Sequence, residues 1–345
     1  MLINKHLEKT VAILNRPRIE WIDIAKAYGI IAIVLGHVLP GSSVAHFLYW
    51  WHIPLFFIIA GIFLEPLTNV DDWHRFYERR IKKDLFSYVS LGILLICLYT
   101  VIHHKGTQFL MTHLPDLIIG GRTLNFYTST FWFVNAYLLT IGVVTILISL
   151  TKNRIIQLAV VVSGLLLGAS YQQVTWMHIN GFAMMPWSMD TVLITAFYTY
   201  LGYLLFHVNP RWIERAKAAI PIVMTAAIII FIHLEGEFNF RLSLKSHLIQ
   251  SSLPRWVALA TVPVILTLAI MVCAYVTSHL PIKFGLSLIG RHTLAIMYGH
   301  KILLDCCRLI GIDNPLVKLA VGVIFPVIIV LVGQRVQRLI FVPTY

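Results

Sequence analysis

The chain has 345 residues, 58% hydrophobic and only 12% charged, with a mean hydropathy of +0.80. A soluble domain carries about twice that charged fraction, so the composition excludes an ordinary water-soluble enzyme and predicts an all-α, polytopic helix bundle in a lipid bilayer. The net charge of +12 does not indicate nucleic acid, because the basic residues fall in short clusters between apolar runs, the pattern that orients membrane helices.

Residues 1–19 are amphipathic and charged, unlike a cleavable signal peptide, and 1–21 read as a cytoplasmic N-terminal segment. Ten apolar segments then follow that are long enough to span: approximately 22–39, 47–66, 85–102, 129–150, 155–171, 189–207, 218–233, 255–277, 290–307 and 316–333. Ten spans put both termini on one side. The segments on that side carry 18 of the 27 Lys and Arg residues and the opposite loops 7, so the positive-inside rule makes both termini cytoplasmic. There is no internal repeat, and 1–345 read as a single integral-membrane domain.

The first span, WIDIAKAYGIIAIVLGHVLP, carries Asp23 and Lys26 near its cytoplasmic end and His37 towards the outer leaflet. Ionisable groups inside a spanning helix are costly and mark functional sites by default. Lys26 and His37 are 11 residues apart, three turns plus about 20°, so they share one helix face and stand roughly 16 Å apart along the axis. Asp23 precedes Lys26 by three residues on nearly the same face, close enough to pair with it and offset the burial of both charges.

The second span enters from the outside after a short loop, which makes it an antiparallel neighbour of the first. His52 sits about one turn into it, at a depth close to that of His37, either as a proton-handling partner or as an interfacial side chain beside Tyr49, Trp50 and Trp51. The cytoplasmic run WHRFYERRIKK holds Arg75, Arg79, Arg80, Lys82 and Lys83. It fits an interfacial helix with topogenic charge, and equally an anion site, since guanidinium groups match phosphate oxygens.

The outer segments cluster His103, His104 and His113, without a zinc-ligand spacing, and no metal is expected. Asp190, behind Pro186 and Trp187, stands where a helix N-terminus takes a carboxylate. Arg241, Lys245 and His247 with Glu235 and Glu237 form a charged outer loop. The ninth span carries Arg291 and His292 at its cytoplasmic start, His300 and Lys301 near its middle and Asp305 beyond; such a His–Lys pair should face a polar cavity. Cys97, Cys273, Cys306 and Cys307 have no CxxC spacing and read as small apolar residues.

The run WIDIAKAYGIIAIVLGH resembles the opening signature of acyltransferase family 3, the multi-pass O-acyltransferases, in which a basic residue and a His are separated by ten residues; here these are Lys26 and His37. Lys with a preceding Asp, where Arg is commoner, is similar to the fucose 4-O-acetylase-like subgroup. WHIPLFFIIAGIFL resembles the family's HxPLFFxxSG stretch with Ala60 for Ser, RRIKKDLFSY its basic segment with Ser87 where Pro is common, FWFVNAYL its WF pair, and IGRHTLAIMYGH its late stretch ending at His300. These matches run in order from residue 18 to about 300. The soluble SGNH-type domain that some members carry is not expected.

The resemblance implies transfer of an acyl group, commonly acetyl from cytosolic acetyl-CoA, to a hydroxyl of a sugar or envelope glycan, in the cell (inner or plasma) membrane. It places the CoA phosphates near Lys26 and the Arg75, Arg79, Arg80, Lys82 and Lys83 segment. It makes His37 the general base or the acyl carrier, with His52 and His300 orienting His37 or the acceptor. The competing class is a transporter or flippase, since intramembrane Lys, His and Asp also mark proton relays; the lack of paired repeats counts against it. A receptor without chemistry would leave the Lys26–His37 stripe unexplained. The acceptor, the acyl chain and the oligomeric state are not encoded in recognisable form.

Overall fold

The computed structural model describes residues 19–178 and 184–341. The expected N-terminal amphipathic segment lies almost wholly outside the described residues. Helices dominate, joined by short 3-10 turns. Helix α1 (Glu20–Val38) is followed by a short α2 (Ser43–Leu48) and by α3 (His52–Ile62), so the expected second span is broken into two helices at Tyr49–Trp51. Ser42 caps α2 by accepting from the Ala45 amide.

One continuous helical stretch then runs from α4 (Val70–Phe76) through a π-helical segment, Tyr77–Lys82, into α5 (Lys83–Ile102). Asn69 caps its start and Asp71 and Asp72 lie in its first turn, a combination that fits the positive end of the helix dipole. Two short helices, α6 (Thr107–His113) and α7 (Asp116–Ile119), cross the far end. The long helices α8 (Trp132–Leu150), α9 (Arg154–Ser170), α10 (Met189–Val208), α11 (Ala216–Leu234) and α12 (Arg255–Thr277) follow.

The charged loop between α11 and α12 folds into an antiparallel hairpin, β1 (Phe240–Ser243) with β2 (Leu248–Ser251), pairing Arg241 with Gln250. The expected ninth span is preceded by its own amphipathic helix, α13 (Lys283–Arg291), with a break at His292 before α14 (Thr293–Leu309); α15 (Pro315–Phe341) closes the chain. Among the described residues nine helices are long and apolar enough to cross a membrane. Helix α14, which holds most of the ninth expected span, is not among them: it has 17 residues and carries His300, Lys301 and Asp305.

Helix α1 lies at the centre, touching α3, α12, α13, α14 and α15, and its Ile22, Ile24, Ala25, Ile30 and Val34 are buried. Close packing here rests on small residues, as is usual where lipid supplies no hydrophobic drive between helices. A Cβ on Gly202 of α10 would fall 1.9 Å from the Ile58 carbonyl oxygen of α3, and one on Gly61 of α3 would fall 1.8 Å from the Thr199 oxygen of α10. The backbones of α3 and α10 therefore meet directly. By contrast α11 and α15 leave much of their apolar surface exposed, as expected of helices that face lipid.

Candidate active site

The site is built along the face of α1 that holds Lys26 and His37. Between them on the same face stand Ile30 and Ile33, and Lys26, Ile30 and Ile33 all line a cavity of about 1020 Å³. That is at the upper end of the range for small-molecule sites, about 300–1,000 Å³. Phe56, Ala60 and Phe63 of α3 and its following turn, Phe133 and Tyr137 of α8, and Thr293, Leu294 and Met297 of α14 complete its apolar walls. Its lining extends along α1 from Ile19 to Ile33, roughly 21 Å at 1.5 Å per residue.

The polar groups of the cavity gather at the N-terminal end of α1. Asp23 is 7% exposed, and its carboxylate accepts from Lys26 Nζ at 3.3 Å and faces Arg291 Nε at 3.6 Å. Two cations on one buried carboxylate offset the cost of its desolvation. The Lys26 ammonium also sits 5.9 Å from the centroid of the Phe63 ring. Arg291 reaches Asp23 because α13 lies against the start of α1, with Lys283 Nζ bonded to Glu20 at 3.1 Å. Gly290 makes that approach feasible: a Cβ there would fall 1.7 Å from the Asp23 carbonyl oxygen. Arg80, Glu65 and Asp84 complete the charged rim.

Of the five basic residues expected to meet phosphate, Arg80 lines this cavity. Arg75 is ion-paired with Asp72, Lys82 bonds Glu78 at 2.9 Å, and Arg79 and Lys83 are exposed. They lie on a helical stretch whose successive side chains point in different directions, with a π-helical turn over Tyr77–Lys82.

At its other end the lining stops at Ile33 and Met297, short of the histidines. One helical turn beyond Ile33 is His37, and three residues beyond Met297 is His300. Their rings stack with centroids 5.3 Å apart and planes inclined at 26°. His300 is fully buried; its Nδ1–H donates to the Ile296 carbonyl at 2.8 Å, which leaves Nε2 as the ring's acceptor nitrogen, without a hydrogen-bond partner among the described residues. His52 is likewise buried, its Nδ1–H donating to the Leu48 carbonyl at 2.5 Å. Its ring lies against Tyr49, centroids 5.0 Å apart; the ring lying against His37 is that of His300.

Beyond the histidines the hairpin closes the bundle. Lys245, at its turn, donates from Nζ to the carbonyls of Leu124 at 2.7 Å and Ser129 at 3.0 Å. Burial, and then the charges of Lys301 and Arg122, push its ammonium down to about 8 in spite of those carbonyls. His247 anchors the same turn: Nδ1 bonds the Asp190 carboxylate at 2.9 Å and Nε2 the Gly168 carbonyl at 2.6 Å. Asp190 thus receives the hairpin as well as the Met185 amide. Further along α14, Asp305 accepts from His103 and the Tyr127 hydroxyl, both at 2.6 Å, and from Arg308.

A family model described as an acyltransferase domain matches residues 19–335. No curated protein matches the chain at a significant level.

Proposed function

The chain belongs to the acyltransferase family whose domain spans residues 19–335, and on that premise we propose that it is a membrane O-acetyltransferase, moving acetyl from acetyl-CoA to a hydroxyl of a sugar or cell-envelope glycan. The observation that carries this proposal is the cavity with Lys26, Arg80 and Arg291 at one end and the His37–His300 pair beyond the other. Cations at the mouth suit the phosphates of the donor, and the apolar length suits its thioester arm. The Lys26 to His37 separation, roughly 16 Å along α1, sets the reach required of that arm.

The donor supplies an activated acyl carbon; the residues of the chain supply position and proton transfer. An alcohol is a poor nucleophile near neutral pH, and an imidazole with an ordinary pKa of about 6.5 is suited to removing its proton as it attacks. In the direct route, His37 takes that proton, a new C–O bond forms, the C–S bond breaks, and the proton passes to the departing thiolate. In the relay route, a His37 ring nitrogen attacks the thioester carbon, the C–S bond breaks and the thiol leaves with the imidazole's proton; the hydroxyl then takes the acetyl group as the N–C bond breaks and gives its proton back to the ring. His300 stacks on His37 and offers a neighbouring acceptor nitrogen in both. Asp23 holds Lys26 and Arg291 at the donor end.

The Lys/Arg asymmetry supports a cytoplasmic position for both termini in the cell (inner or plasma) membrane. Lys26 then faces the cytosolic donor and His37 the outer half, from which the acceptor is reached. The Asp23 and Lys26 pair is what favours the fucose 4-O-acetylase-like subgroup. Purified protein in lipid nanodiscs, supplied with acetyl-CoA, tests the donor site: Arg80→Ala should raise the acetyl-CoA KM about tenfold with little change in kcat, and an unchanged KM would remove Arg80 from it.

A further inference from the structure

A second cavity, of about 570 Å³, lies at the end of the bundle where α1 delivers His37. It is formed by α2 with its C-terminal turn, by the hairpin and by the end of α11, three pieces that meet only in the folded chain. Its volume lies within the range of small-molecule sites, about 300–1,000 Å³.

Its floor is aromatic. Trp50 is 1% exposed and packs against Phe47 and Phe240, each with ring centroids 5.4 Å away. The indole N–H of Trp50 is buried and has no hydrogen-bond partner among the described residues. A buried donor without a partner is destabilising unless something else satisfies it, and a ligand hydroxyl oxygen would do so.

The walls carry donors and acceptors in nearly equal measure. Arg241 and Gln250 are cross-strand neighbours, and the amides of Asn239 and Gln250 each offer both roles. His46 Nε2 accepts from Arg241 Nη2 at 3.0 Å, so its other nitrogen carries the hydrogen and donates. His233 donates from Nδ1 to the Phe238 carbonyl at 2.7 Å, so its Nε2 accepts. Among the described residues, Arg241 is the only lysine or arginine in the lining, and no carboxylate is present there.

This chemistry selects a neutral polyhydroxylated ring. Vicinal hydroxyls need donors and acceptors side by side, while the C–H face of a sugar carries slight positive charge that lies well on an aromatic face. We propose that this cavity is a carbohydrate site that holds the acceptor glycan at the His37 end of the bundle. The assignment of its occupant as acceptor rests on the acyltransferase function proposed above; the binding of a neutral sugar does not.

The test is saturation-transfer difference NMR on the full chain in nanodiscs, since sugar-headed detergents would compete. The probes are glucose, galactose, fucose, rhamnose and N-acetylglucosamine. Transfer to the ring protons of at least one sugar is expected, lowered about fivefold or more in an Asn239→Ala/Gln250→Ala double variant and in Trp50→Phe, which keeps an aromatic ring in the packing but loses the N–H. His37→Ala should leave the transfer unchanged. No transfer to any of the five sugars, or equal transfer to the double variant, would overturn the site. Sugar binding without His37-dependent CoA release would overturn the acyltransferase function and keep the site; His37-dependent CoA release without sugar binding would do the reverse.

Discussion

The imidazole of His37 lies against that of His300, ring centroids 5.3 Å apart, although the two residues come from opposite ends of the chain. The His300 tautomer is fixed by its bond to the Ile296 carbonyl, so the pair presents an acceptor nitrogen in a buried setting one turn beyond the large cavity. Such an arrangement can orient an imidazole and share a proton with it.

His300→Phe retains a ring to stack on His37 and removes Nε2. It should lower kcat on the order of 100-fold and leave the acetyl-CoA KM within about twofold, the size expected when one proton-handling group is lost. Steady-state CoA release at saturating acetyl-CoA measures it. An unchanged kcat would assign His300 a packing role.

Arg291 reaches the cavity through Asp23. Arg291→Ala should raise the acetyl-CoA KM by about 10- to 100-fold, corresponding to a charge-assisted hydrogen bond of about 1.5–3 kcal/mol, and Arg291→Lys should recover part of it. A KM shift equal for acceptor and donor would argue instead for a general loosening of α13.

Gly290→Ala forces α13 away from α1, because the added Cβ meets the Asp23 carbonyl oxygen. The unfolding transition of the purified protein should fall, with a loss on the order of 1–3 kcal/mol, and the acetyl-CoA KM should rise with it as Arg291 is displaced. An unaltered melting curve and KM would mean that this helix contact is not needed.

The hairpin lysine gives a pH signature. Lys245 titrates near 8 in the folded chain, below its ordinary 10.5, so between those values the unfolded chain holds a proton that the folded chain has lost. Stability should therefore rise with pH from about 8 to about 10.5 through this group, and be insensitive to it below 8. Melting curves across that window, compared with Lys245→Met, isolate the contribution: the difference between the two proteins should shift in favour of wild type as pH rises. A difference that stays flat would place the Lys245 titration elsewhere.

Much of this site is legible in the sequence because it is written on one helix. The 3.6-residue period alone puts Asp23, Lys26 and His37 on one face, and α1 keeps that face along the cavity. The helical bundle follows from apolar runs of spanning length. What the sequence does not show is what other segments bring to that face. Arg291 stands at the head of the ninth span, but its bond to Asp23 depends on α13, a helix signalled only by its amphipathic pattern. Arg80 is indistinguishable from its basic neighbours until the folded bundle sets it against the cavity. The short outer loop gives no local sign that Lys245 turns inward, because its partners, Leu124 and Ser129, are backbone carbonyls more than a hundred residues away.

The most direct measurement is CoA release from acetyl-CoA by wild type and His37→Ala, both folded and reconstituted in nanodiscs. The account predicts release by wild type and its loss, by at least about 100-fold, in the variant. Release at the wild-type rate from a folded His37→Ala protein would contradict it.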